Sequence, residues 1–437
     1  MRKPLWGFLL SAALLCGVLS GCTGEQKPDV TLVIKAPVFQ LEMVADSESA
    51  DVYTFLKKAA NAFAEQYTEA NVTIDLSQFE LARRQTEVEE RFDTDEAVDV
   101  LWGDVNWYTY TGRKVPLDDL ITDELRADIA PQYWDSCSVD GKTYTMPFLS
   151  SQTVLCYNKD LFRQAGLDQY ITDEDVIQSW TLEEWEYILS TLRANLPSTV
   201  FPLMMFAGNT NAESHTMTYL RSHGGSFFGA DGRVDLDTPE MLAAMQWIRD
   251  SNEKGYFPPH PERLVMLDNY SLFMNNQLAI YCVNVSLQTF YDSAGLDCGF
   301  VNFPSQDGAG FNVTSLYGFG VFDNGDETRL QAAKDFVSFV YSTDWLDYSA
   351  GSIPASSRVM KKYAEQLAPV QKYIANMPNN NDYTQGKPNW DSVREAYRLR
   401  LQELFYQGKS VEQVALEMER ACNEAIDAGY QSASLHE

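Results

Sequence analysis

The sequence predicts an α/β protein with enough apolar material for two lobes. Compact β-branched runs alternate with amphipathic segments, an order that implies parallel strands joined by right-handed helical crossovers. The 437 residues are 45% hydrophobic, sufficient for two separate cores. Acidic residues are dispersed among aromatics and aliphatics, unlike the pattern of a disordered acidic tail.

Taken in order, Thr31-Leu32-Val33-Ile34 reads as a buried first strand. Val52, Phe55, Leu56, Ala59, Phe63 and Tyr67 then recur at helical spacing. Val72 to Leu76 is the next strand, Leu81 to Phe92 a second helix, and Ala97 to Trp102 a third strand. Tyr144 to Phe148 and Thr153 to Tyr157 are strand-like. Thr181-Leu182-Glu183-Glu184 fits a capping box, with Thr181 as cap and Glu184 answering it. Thr238-Pro239-Glu240 opens another helix, Pro sitting where its missing N–H costs nothing, and Gly255 stops it. Leu278 to Val283 reads as a central strand, Arg329 to Tyr341 as a helix, and the last fifty residues as a helical finish.

A basic start, Met1-Arg2-Lys3, precedes an uncharged apolar run from Leu5 to Leu19. The run is too short and too terminal for an ordinary membrane-spanning helix and reads as a secretory signal peptide over 1–21. Its ending, Leu19-Ser20-Gly21-Cys22, resembles the lipobox of bacterial lipoproteins, in which the cysteine is lipidated and becomes the first residue. Residues 22–29 are then a polar tether. Losing Arg2 and Lys3 leaves 31 of the 33 basic residues against 62 acidic ones, a formal charge of −31 rather than −29. Such a chain is repelled by phosphate backbones, which argues against nucleic acid as a partner.

With Cys16 cleaved off and Cys22 acylated, five cysteines remain: Cys137, Cys156, Cys282, Cys298 and Cys422. Odd in number and far apart, they make neither a disulfide framework nor a zinc cluster, and most read as small apolar fillers. Cys282 with Cys298 is the one pairing left open. His215, His223, His260 and His436 show no metal-ligand spacing, so no metal and no cofactor is expected. The chain has no G-x-S-x-G, no H-E-x-x-H and no phosphate loop. A glycosidase needs two carboxylates at a set separation, and with 62 acidic residues some pair always exists. The reading is therefore not an enzyme.

Several stretches carry a family likeness. Tyr157-Asn158-Lys159-Asp160-Leu161-Phe162, followed by Ala165-Gly166-Leu167, is close to a YNKDLF…GL motif, and Trp180-Thr181-Leu182-Glu183-Glu184-Trp185 to a TWEE helix start. Asp99-Val100 with Pro116-Leu117-Asp118-Asp119 matches DV…PLDD, and Gly141 to Pro147 matches GKxYxxP. Phe273 to Ala279 resembles FxxGxxA, with Asn276 where glycine is usual, and Gly351 to Ala355 resembles GxxPA. In this order, over roughly residues 30–360, the chain resembles the extracellular solute-binding proteins of carbohydrate ABC importers, the group that contains the maltose-binding protein.

The resemblance implies a type II periplasmic-binding-protein-like fold, two α/β lobes joined by crossing strands with a solute cleft between them. The N-terminal lobe would be 30–150 and 305–347, and the C-terminal lobe 152–304 and 348–437. It further implies a monomeric, non-catalytic lipoprotein that closes by a hinge around a carbohydrate, an oligosaccharide in the first instance. The closed form would dock on ABC permease subunits at the outer face of the cell membrane. A polyamine, a peptide or a metal chelate is the alternative ligand, and a solute sensor for a receptor kinase the alternative role.

Sugars are gripped by flat aromatic faces and planar polar groups, in clefts at the carboxyl ends of strands. Trp102 and Asp104, with Trp107 and Tyr108 next to them, follow the third strand, and the family places a Trp and an Asp at about this spot. Phe148 is a candidate wall, and Ser151 lies at the first crossing, where the family often carries a carboxylate. Tyr281 and Asn284 stand where the family commonly presents tryptophan. These two departures point to a solute other than maltose. Tyr317, and Trp390 after the Pro/Asn-rich loop 376–389, complete the set. The polar loop with Asn209, Asn211 and His215 is within reach of the cleft, whereas the charges of YNKDLF, Asp118 and Asp119 read as structural.

Replacing the acylated residue tests the leader. Cys22→Ala is expected to move the protein from the membrane fraction to the soluble one; a variant still sedimenting with membranes would disprove the lipobox reading.

Overall fold

The computed structural model describes residues 27–41, 51–285, 294–381, 384, 386–406 and 408–434. The leader over 1–21 and Cys22 lie outside them. Among the described residues twelve strands run in chain order: β1 (Asp29–Pro37), β2 (Asn71–Phe79), β3 (Val100–Asp104), β4 (Ser138–Val139), β5 (Lys142–Thr143), β6 (Met146–Asn158), β7 (Ile177–Gln178), β8 (Phe201–Leu203), β9 (Leu278–Asn284), β10 (Cys298–Val301), β11 (Val313–Val321) and β12 (Ile353–Pro354).

β1 pairs in parallel with β2 along its full length and with β3 at Ile34 and Lys35, as strand–helix alternation requires. β11 then runs antiparallel between β3 and β6. The two strand-like runs expected over 144–157 are one strand, the thirteen-residue β6, buried throughout. Its first half takes β11 on one edge and β12 on the other. Its second half takes β9 and β10, which carry β8 and β7. Two lobes thus share one strand, with the exchange of partners at Gln152 and Thr153.

Helices Val52–Gln66 and Glu327–Ser342 cover the first sheet, Phe63 meeting Phe336 at 5.5 Å between ring centroids. The second lobe packs the helices Ala212–Leu220, Pro239–Glu253, Trp390–Leu404 and Val411–Ser434 against one another. Start signals behave as written: the Thr181 amide donates to the Glu184 carboxylate at 2.8 Å, and the Glu184 amide returns to Thr181 Oγ1 at 3.2 Å.

The segment 81–92 is not one helix but short turns, Leu81–Arg83, Arg84–Glu87 and Glu89–Arg91. Val88 is buried there, but Leu81 is 63% exposed, so no apolar stripe anchors a longer helix. Contacts bracket the later crossings expected near 304 and 348. Tyr219 still meets Phe303 at 5.4 Å in the second lobe, and β11 joins β6 from Val313. The carboxylate of Asp128, in the first lobe, accepts from Ser357 Oγ at 2.8 Å and from the Arg358 amide at 2.7 Å. The chain reaches the second lobe by Lys372, which pairs with Asp175 at 2.5 Å. The five described cysteines are all free thiols, so the pairing left open between Cys282 and Cys298 is not made.

Motif residues hold the frame. Asp99, 1% exposed, accepts the Val33 amide (2.8 Å), Asn324 Nδ2 (2.8 Å) and Arg329 Nη2 (2.9 Å), tying β1, β3 and the helix Glu327–Ser342 together. Asp118 accepts the Thr143 amide at 3.1 Å, and Asp119 pairs with Lys334 at 2.8 Å. Asn158 caps the helix Lys159–Ala165 and donates from Nδ2 to Asn276 Oδ1 at 2.7 Å. Asn276 has φ 56°, a left-handed conformation that asparagine tolerates best after glycine, which explains its place in the FxxGxxA pattern. Asp99→Ala strands three donors, Arg329 among them, and is expected to cost about 3–5 kcal/mol by urea denaturation.

Candidate functional site

A cavity of about 190 Å³ opens where the lobes meet. Its wall combines the end of β3 (Asp104, Val105 and Asn106) with Gln132, Tyr133 and Ser136 of the helix Pro131–Ser136. The start of β11 adds Thr314, Ser315 and Leu316, and the Pro/Asn-rich loop adds Asn380 and Thr384. Asp104 accepts the Asn106 amide at 2.9 Å, which fixes the turn after β3. The Tyr133 hydroxyl bonds Ser150 Oγ at 2.9 Å and lies beside Asn380; burial pushes its pKa up, against the pull of these two partners.

Of the ten residues proposed from sequence, Asp104 alone lines this cavity. Trp102 has no exposed surface; its ring stacks under Tyr317 at 5.4 Å and 10°, with Phe39 edge-on at 5.2 Å. Tyr317 is half-buried, its hydroxyl pKa raised by burial and then by the Asp104 charge. Phe148 is a core residue, not a cleft wall, packed between Phe55 at 5.4 Å and Phe319 at 5.5 Å. Tyr281, 3% exposed, likewise belongs to the core, beside Phe273 at 5.6 Å.

Ser151 donates to Asn284 Oδ1 at 2.9 Å, and Asn284 Nδ2 to Thr153 Oγ1 at 3.2 Å, a link across the shared strand. Trp107 covers Gly103, where an added Cβ would stand 2.6 Å from its ring. Tyr108 holds φ 61°, a strained conformation for a bulky residue, with Phe92 at 5.5 Å and Phe322 at 6.0 Å keeping it there. Trp390 donates from Nε1 to the buried Glu213 carboxylate at 2.9 Å. His215 bonds Ser214 Oγ and the Asn211 carbonyl; burial holds its pKa down at about 4, so it is neutral at pH 7.

The residue pattern of bacterial extracellular solute-binding proteins matches residues 46–346 of this chain. The chain belongs to that family. Among curated relatives, the Escherichia coli ABC transporter periplasmic-binding protein YcjN is 20% identical over 388 residues, 85% of this chain and 84% of that protein. Among solved structures, the sugar-binding protein MalE of Xanthomonas citri superposes with a TM-score of 0.70 at 15% identity, covering 91% of this chain and 98% of that one. The cyclic α-maltosyl-1,6-maltose binding protein of Arthrobacter globiformis gives 0.69 at 19% identity, over 92% and 100%. The fold is accordingly the two-lobed type II arrangement.

In this solute-binding protein further contacts bridge the lobes. Arg84 pairs with Asp391 and lies over the rings of Trp107 (4.7 Å) and Tyr108 (5.7 Å). Tyr110 meets Tyr430 edge-on at 5.3 Å. The loop that supplies Asn380 is held by amides. Asn376 exchanges bonds of 2.8 and 2.9 Å with Asn302, receives Asn379 Nδ2 at 2.9 Å and reaches Gln152 Oε1 at 3.3 Å. Gln152 Nε2 donates in turn to the Tyr373 carbonyl at 2.8 Å.

Tyr133, Gln132, Thr314 and Asn380 line the cavity and are not among the residues named from sequence. Their one signal was the Pro/Asn-rich composition of 376–389, which marks a polar loop without saying which asparagine lines the cavity. Asn376→Leu keeps the volume and removes the hub. A loss of about 2 kcal/mol or more is expected by chemical denaturation, because buried amide partners are left unpaired.

Proposed function

We propose that this solute-binding protein captures a carbohydrate between its lobes and delivers it to an ABC permease, tethered outside the cell by an acylated Cys22. The observation that carries the reading is the cavity between the lobes, beside the stretch of β11 that pairs with Ser151 and Gln152 of β6, because a solute there touches both lobes and so favours their closure. Its wall holds an acceptor carboxylate (Asp104), amides (Asn106, Gln132 and Asn380) and hydroxyls (Tyr133, Ser136 and Thr314), the groups that pair with sugar hydroxyls. Relatives of the same fold support the choice, since the Listeria monocytogenes substrate-binding protein Lmo0181 is in complex with cycloalternan and the Arthrobacter protein is named for a cyclic maltosyl sugar.

Size narrows the reading. An engineered cavity of about 150 Å³ takes one benzene, so about 190 Å³ suits a single sugar ring. The rest of an oligosaccharide would continue along the cleft toward Trp107, Tyr108 and Trp390. Asp104 is the one carboxylate on the described wall, which disfavours a polyamine, whose separate ammonium groups each want a counter-charge.

A thermal-shift screen against mono- and oligosaccharides, polyamines and peptides tests the proposal. A bound sugar at a hundred-fold excess over Kd adds about 2.7 kcal/mol of stability. Asp104→Ala should weaken that sugar roughly ten- to hundred-fold, the worth of charged hydrogen bonds. A response confined to cations or peptides would overturn the carbohydrate assignment.

A further inference from the structure

Lys114 is 5% exposed and lies behind the cavity wall, in no ion pair among the described residues. Its ammonium donates to the Val105 carbonyl at 3.2 Å and to Thr145 Oγ1 at 2.7 Å, with Thr109 Oγ1 at 3.5 Å. Thr145 Oγ1 donates to the same Val105 carbonyl at 3.1 Å. The sheet makes room for the stem: a Cβ added to Gly320 of β11 would sit 2.4 Å from Lys114 Cε. An ammonium buried among neutral partners is costly, and this one grips the residue between Asp104 and Asn106, both on the cavity wall.

We propose that Lys114 is a positioning residue of the cleft, its ammonium holding the Val105 carbonyl so that the turn after β3 presents Asp104 and Asn106 to the solute. The proposal rests on the cavity being the solute site. The titratable groups facing Lys114 are the Asp104 carboxylate at the end of β3 and the Cys137 thiol after the helix Pro131–Ser136; both favour the ammonium, and burial outweighs them, bringing Lys114 down to about 7. Tyr341, from the helix Glu327–Ser342, stays neutral, its hydroxyl donating to the Met146 carbonyl at 2.7 Å.

Two pH signatures follow, of opposite sign. Above pH 7 the neutral amine keeps fewer and weaker donors, so the turn loosens. Global stability instead rises from about pH 7 toward 10, because the unfolded lysine binds a proton that the folded one has lost.

The test is hydrogen exchange by mass spectrometry on the full chain, without solute, from pH 6 to 8.5 and corrected for intrinsic rates. In the wild type, peptides over 103–109 should exchange about five-fold faster above a midpoint near 7, the difference between charged and neutral hydrogen bonds. Lys114→Met should be fast at every pH, and Lys114→Arg, always charged, slow at every pH. Exchange over 103–109 in Lys114→Met no faster than in the wild type at pH 6, or a wild-type step that persists unchanged in Lys114→Met, overturns the proposal. If Lys114→Arg does not fold, Lys114→Met decides alone: faster exchange over 103–109 than in the wild type at pH 6 supports the proposal, and equal exchange overturns it. Because no sugar enters the experiment, its failure and that of the carbohydrate reading are separate results.

Discussion

A strand has two hydrogen-bonding edges, and β6 gives both of them away twice. Over its first half they belong to β11 and β12, over its second to β9 and β10. The two sheets therefore cannot be positioned independently: each inherits its direction from the same thirteen buried residues. Beside the exchange of partners, Gln152 is fully buried and is met by polar groups, Asn376 and the Tyr373 carbonyl, rather than by apolar ones alone. The cavity between the lobes lies next to this point, where Thr314 and Ser315 of β11 pair with Gln152 and Ser151.

The polar filling has an energetic logic. Buried polar groups are tolerable only when paired, and the amides of Gln152, Asn302, Asn376 and Asn379 satisfy one another without introducing a buried charge. Neutral pairs of this kind avoid the desolvation that a buried ion pair would suffer. Charge appears at the rim instead, where Arg84 rests on Trp107 and Tyr108 and meets Asp391 half in water, and in the frame, where Asp99 and Arg329 lock the first sheet to its helix.

Much of the frame was legible. The β-branched runs at Thr31 and Val72 became parallel neighbours, and the Thr181 capping box formed as written. These features are local, set by side chains within one turn or one pleat. The lining of the cavity was less legible, for a different reason. Trp102, Phe148 and Tyr281 look alike in sequence to a ligand-stacking aromatic, since large aromatics serve cores and sugar sites equally. What makes Trp102 a core residue is Tyr317 and Phe39 closing over it from segments more than sixty and two hundred residues away in the chain.

The sequence by itself determined the alternation of strands and helices, their caps, the acidic balance and, through its motifs, membership of the solute-binding family. Tertiary structure alone decided where the crossings fall and which side chains line the cavity. Tyr133, Thr314 and Asn380 stand on three elements brought together only when β6 joins both sheets. A side chain's burial depends on what lies opposite it, and the partner strand is chosen by the whole fold rather than by neighbouring residues.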